Sequence, residues 1–163
     1  MELKTKINAE AGRQDLLITR EFDLPVELLF RAHAESEIIE QWMGTKVLKL
    51  EAKNHGSWQF ETKNPQGMVM FRANGVIHEF NPGRRIVRTF EMENAPFGVQ
   101  LEFLDFEKLN DERSRLSMHV VYESGAKRDQ MLKLPFAQGL NMAHNRLEEI
   151  GAKLNRGTSN IQH

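Results

Sequence analysis

The chain of 163 residues contains no cysteine. Disulfides, thiolate nucleophiles and Cys-ligated zinc or iron–sulfur clusters are therefore excluded, and a reducing cytoplasm is the expected setting. It also lacks a dominant charge, since 22 basic residues face 23 acidic ones and leave a formal net charge of -1. The dense phosphate neutralisation of nucleic-acid binding has no footprint in such a balance. The short cluster Arg84, Arg85 and Arg88 reads as a solvated strand end. No uninterrupted apolar run is long enough to span a bilayer, and the opening stretch MELKTKINAEAGRQ has no apolar run of the signal-peptide kind. A soluble protein without membrane contact is expected. Catalytic signatures are missing too: there is no nucleophile elbow, phosphate-binding glycine loop, dinucleotide fingerprint or HExxH.

What the chain does have is one long amphipathic segment near its C-terminus. Phe136, Leu140, Ala143, Leu147, Ile150 and Leu154 recur at spacings of four and three, which on a helix places them in one stripe. The pattern predicts a helix over 129–154, roughly 40 Å long at about 1.5 Å per residue, crossing the whole domain. Pro135 should kink or restart it, and Gly139 should let it approach the rest of the fold closely.

Upstream the period is two. Leu16 to Phe22 suits a first strand, and two short helices then follow, Pro25 to Ala32 and a second one capped by Ser36 and ended by Gly44. Strands are expected around Val47–Leu50, Trp58–Thr62, Met68–Phe80, Arg85–Met92, Val99–Phe103 and Leu116–Tyr122, with turn residues between them. Asn74-Gly75 ordinarily signals a hairpin, but splitting there leaves two very short arms, so a bulge that bends one long strand is expected instead. The reading is an α+β fold, a curved antiparallel sheet of six to seven strands around one long C-terminal helix. Residues 1–13 are expected to form a flexible arm, 14–155 a single domain and 156–163 a disordered tail. A sheet cannot close tightly on one cylinder along its whole length, so a cavity between the two is expected.

Several motifs in order resemble a known family: Arg20-Glu21-Phe22-Asp23-Leu24-Pro25, Glu27-Leu28-Leu29-Phe30, Glu40-Gln41-Trp42-Met43-Gly44, Gly56-Ser57-Trp58-Gln59-Phe60 and Gly75-Val76-Ile77-His78-Glu79-Phe80-Asn81-Pro82. They resemble the START-like (SRPBCC) helix-grip proteins, in the branch related to the C-terminal domain of the activator of the heat-shock-protein-90 ATPase. The usual Trp-Trp-Gly-Pro after the second helix is Trp42-Met43-Gly44-Thr45 here, a change at the mouth of the pocket. The resemblance covers about residues 15 to 155 and implies the fold. For function it implies several classes: carriers of lipids and hormones, cyclases, self-sacrifice resistance proteins and co-chaperones.

The residues offer candidates for each. A small apolar or aromatic ligand would be lined by Trp42, Trp58, Phe60, Met70, Phe90, Leu101, Phe103, Met118, Phe136 and Leu140, with His144 and Tyr122 as polar contacts. A co-chaperone-like module would instead use a surface to bind a chaperone partner or a second copy of the chain. A cyclase or hydratase would use His78 or His144 as general acid or base, although a histidine in such a place is most often a hydrogen-bonded or surface residue. His144 and Glu148 lie one turn apart and could supply two metal ligands, but no third is close in sequence. No metal, cofactor or catalytic residue is assigned.

Overall fold

The computed structural model describes residues 3–161, with side chains to 157. Strands β1 (Lys6–Asn8) and β2 (Asp15–Phe22) are followed by helices α1 (Val26–Ala34) and α2 (Ser36–Met43). Then come β3 (Lys46–Leu50), β4 (Ser57–Lys63), β5 (Val69–Asn81), β6 (Arg85–Met92), β7 (Val99–Asn110) and β8 (Arg113–Val121), and finally α3 (Gly125–Leu132) and α4 (Phe136–Ile161). All eight strands form one antiparallel sheet in the order β1-β2-β8-β7-β6-β5-β4-β3. The helical pair carries the chain from β2 to the far edge of the sheet, and the meander then returns it to β2's side.

The sheet has one strand more than the six or seven expected, and the addition is β1. Lys6, Ile7 and Asn8 pair with Thr19, Ile18 and Leu17, so this part of the expected N-terminal arm is an edge strand. Three residues are too few to display a period, which hid it in the sequence. At the other end α4 runs to Ile161, so the expected tail begins inside a helix; residues 162 and 163 lie outside the described ones.

The long C-terminal segment is two helices, not one. Pro135 has no amide hydrogen to donate, and the chain breaks over 133–135 before α4 begins at Phe136. Upstream, Ser124 caps α3 by accepting from the Lys127 amide at 3.2 Å. Gly139 is not the point of close approach, because a Cβ there would meet no atom within 4 Å. That role belongs to Gly151, where a Cβ would fall 2.6 Å from Leu24.

Asn74-Gly75 makes no turn: β5 runs straight through, with Asn74 opposite Gln59 and Gly75 opposite Trp58. Gly75 is required there, since a Cβ would sit 1.9 Å from the Thr89 carbonyl oxygen and 2.7 Å from Trp58 Nε1. The expected bulge lies three residues later, at His78 between Ile77 and Glu79. There the turn before β4 takes over part of the ladder, with His55 donating to the Ile77 carbonyl and Ile77 to Gly56, each at 2.7 Å.

Inward-facing residues of the sheet, among them Leu16, Ile18, Phe22, Ile86, Leu104 and Leu116, pack with Leu29 of α1, Ile39 of α2 and Leu147 of α4 into one core. α4 rests on α2 and α1. Arg20 of β2, itself buried, ties the helix to the sheet: its Nη1 donates to Asn145 Oδ1 at 2.8 Å and to Asn141 Oδ1 at 3.4 Å. No helix of the described residues is long and apolar enough to cross a membrane.

Candidate functional site

Because α4 sits on the helical pair, the space between its first turns and the sheet is not filled. A cavity of about 230 Å³ lies there. Protein interiors rarely leave voids larger than a water molecule, so a space of this size is a feature to be explained.

Apolar side chains make most of its wall. Phe60, Phe90, Met92, Met118 and Val120 rise from the sheet, and Trp42, Met43, Phe136, Leu140 and Ala143 close it from the helices. Trp42 is held in place by its indole, which donates to the Ala32 carbonyl at 2.8 Å, while the backbone carbonyl of Trp42 accepts from Arg146 Nε at 3.0 Å.

One part of the wall is polar. Arg88 of β6 and Glu102 of β7 are opposite each other in the ladder, and Arg88 Nε donates to Glu102 Oε1 at 2.8 Å. The second carboxylate oxygen accepts from Gln100 Nε2, also at 2.8 Å. Arg88 also lies over the Trp58 ring, 5.2 Å from its centroid. Tyr122 completes this end; burial first, then the Glu102 charge, push its pKa up, so it stays a neutral hydroxyl.

Two buried histidines flank Trp42, with ring centroids 5.2 Å away for His33 and 6.1 Å for His144. His33 Nδ1 lies 2.9 Å from the Leu29 carbonyl oxygen, which only accepts, so Nδ1 carries the proton and Nε2 is the ring's acceptor. Burial, assisted by the nearby Arg88 charge and opposed by that hydrogen bond, lowers the His33 pKa to about 4. His144 Nδ1 shares a 2.7 Å hydrogen bond with Thr5 Oγ1. Burial first, then the charges of His33 and Arg20, lower the His144 pKa to about 3. Both rings are neutral at pH 7.

Of the lining expected from sequence, Trp42, Phe60, Phe90, Met118, Tyr122, Phe136, Leu140 and His144 meet at this cavity. Trp58 is buried behind it, packed on Phe60 and Phe90 with centroids 4.7 and 5.5 Å away. Met70 is not in the wall: it is the extra residue of a bulge where Phe71 pairs with Thr62 and Val69 with Lys63, and it is 62% exposed. Leu101 and Phe103 are also on the outer face, where Phe103 stacks on His119 at 5.8 Å under the Arg85 guanidinium. The inward side of β7 carries Gln100, Glu102, Leu104 and Phe106.

Gln100 and Glu102 were thus missed, together with His33, and Arg88 is a buried partner of Glu102 instead of the solvated strand end expected. A signal was available in the continuation of β7, where Leu104 and Phe106 share the phase of Gln100 and Glu102. His78 is exposed in its bulge, near His55, and away from the cavity. His144 and Glu148 do not converge either, since Glu148 Oε1 accepts from the Asp23 amide at 2.8 Å. No cluster of three or more metal-ligating side chains occurs among the described residues.

A curved antiparallel sheet gripping one long helix over a cavity is the helix-grip architecture, and residues 23–152 match the family described as Activator of Hsp90 ATPase homolog 1-like protein. The chain belongs to this family. Solved structures agree on the fold of this family member. A protein from Rhodobacter sphaeroides superposes with a TM-score of 0.83 at 19% identity, covering 92% of this chain and 99% of its own. One from Mycobacterium smegmatis gives 0.79 at 18%, covering 90% and 96%. Another from Arthrobacter aurescens gives 0.80 at 16%, covering 91% of each. No curated protein matches the chain.

Proposed function

We propose that this family member is a binding module that holds a small apolar or aromatic molecule in the cavity between sheet and α4, in a reducing compartment. The observation that carries the reading is the cavity itself: about 230 Å³ left open inside an otherwise packed core, apolar over most of its wall and polar at one end. Small-molecule sites have this character, with few polar groups fixing orientation on a mainly hydrophobic surface. An apolar cavity of about 150 Å³ is enough for benzene, so the volume here suits a molecule of about two fused rings.

The test is native mass spectrometry of the purified protein beside thermal melts against a panel of apolar and aromatic molecules. A co-purified mass is expected, or a melt that rises with ligand concentration. At a hundred times the dissociation constant the gain is about 2.7 kcal/mol, or roughly 5–10 °C for a chain of this size. A bare mass and no shift across the panel overturn the reading. A second reading, a co-chaperone-like contact with a protein partner, is supported by Met68, Val69 and Met70, which stand exposed around the start of β5. A bare mass together with a heavier complex with a partner would favour it.

A further inference from the structure

We infer that the Arg88–Glu102 pair sets the charge specificity of the cavity, admitting neutral ring compounds that carry a hydroxyl or carbonyl and rejecting carboxylates. The inference rests on the binding reading above and names the ligand class of the same site.

Among the described residues, Arg88 and Glu102 are the cavity-lining groups that carry charge at neutral pH, and each is the other's counter-ion. Their side chains are only 13% and 5% exposed, so the pair is shielded from solvent screening. Arg88 alone would make this end of the cavity an anion site, because a guanidinium is the preferred partner of a carboxylate. Glu102 already fills that role. Both of its oxygens are engaged, one by Arg88 Nε and the other by Gln100 Nε2, each at 2.8 Å. An entering carboxylate would therefore put two anions beside one cation in a poorly hydrated space, and like charges so placed do not both stay ionised without a large penalty. A neutral molecule leaves the pair intact.

What remains for a ligand at this end is the pair of terminal Arg88 nitrogens, whose charge Glu102 already balances, and two uncharged groups. Tyr122 offers a hydroxyl, and the His33 ring is fixed with its proton on Nδ1 toward Leu29, leaving Nε2 to accept. A hydroxyl or carbonyl on a ring compound fits such partners.

The experiment is isothermal titration of the full chain near neutral pH with 2-naphthol and 2-naphthoate, which share ring size and differ in charge. The wild type is expected to bind the naphthol at least about tenfold more tightly than the naphthoate. Glu102→Gln keeps the shape of the side chain and frees the Arg88 charge, so naphthoate should gain about tenfold or more and the preference for naphthol should disappear. Arg88→Gln/Glu102→Gln removes both charges and should show no such gain. Equal affinity of the two probes for the wild type, or an unchanged ratio in Glu102→Gln, overturns the inference while leaving a binding cavity in place. Absence of binding by both probes in both proteins overturns the cavity reading and the inference with it. Because the first comparison uses the unmodified protein, it stands even if Glu102→Gln fails to fold.

Discussion

Arg88 and Glu102 stand opposite each other on adjacent strands and meet inside the cavity, guanidinium Nε to carboxylate Oε1, at 2.8 Å. Buried pairs of this kind contribute little net stability, yet breaking one leaves a stranded charge. Arg88→Met should cost about 3–5 kcal/mol, because Glu102 keeps only its contact with Gln100. Arg88→Met/Glu102→Leu should fall within about 1 kcal/mol of the wild type or above it. Urea melts of the two single variants and the double variant check this, and simple additivity of the single losses would show that the two charges do not act as a pair.

The buried histidines predict a dependence on pH. With folded pKa values of about 4 for His33 and about 3 for His144, both lie below the ordinary value near 6.5. In that window the unfolded chain binds more protons than the folded one, so stability is full above about pH 6.5 and falls as the pH drops below it. Each ring contributes a limiting slope of about 1.4 kcal/mol per pH unit, so unfolding free energy should fall by roughly 2 kcal/mol from pH 6 to pH 5. His144→Gln should leave about half that slope, whatever it does to stability at neutral pH. A flat profile in the wild type would mean that the rings accept protons within the fold.

Two glycines predict opposite outcomes for the same change. At Gly75 a Cβ would collide with the Thr89 carbonyl oxygen at 1.9 Å, so Gly75→Ala should lower stability by about 2–4 kcal/mol. At Gly139, exposed on α4, nothing lies within 4 Å, and Gly139→Ala should raise stability by about 0.5–1 kcal/mol through helix propensity. Differential scanning calorimetry distinguishes the signs. A neutral Gly75→Ala would show that β5 and β6 can separate there at little cost.

The fold was legible because its signals are long. The stripe from Phe136 to Leu154 and the alternation of β2, β4, β6 and β8 each extend over enough residues for a period to show. β7 misled because both of its faces carry apolar side chains. Phe103 is shielded outside by the cross-strand neighbours His119 and Arg85, and Leu101 pairs there with Thr89 and Val121, while the inner face turns polar at the cavity. Alternation alone therefore names the wrong face where a strand passes a cavity, and hydrophobic patterning fails at Gln100 and Glu102, which line it. The break at Pro135 was visible as a proline, but whether it bends a helix or ends one depends on packing that no local pattern contains. His33 was hidden differently: its partner is the Leu29 carbonyl one turn away, and a histidine in a short helix carries no mark of facing a cavity.

Ala143 lies in the cavity wall, where a larger side chain would take the space that a ligand needs. Equilibrium dialysis with 2-naphthol should find one molecule bound per chain in the wild type. In Ala143→Phe, where the added ring fills the space, binding should be lost while the protein still melts cooperatively. Equal binding by both proteins would place the ligand elsewhere, and no binding by the wild type would mean that the cavity does not hold such a molecule.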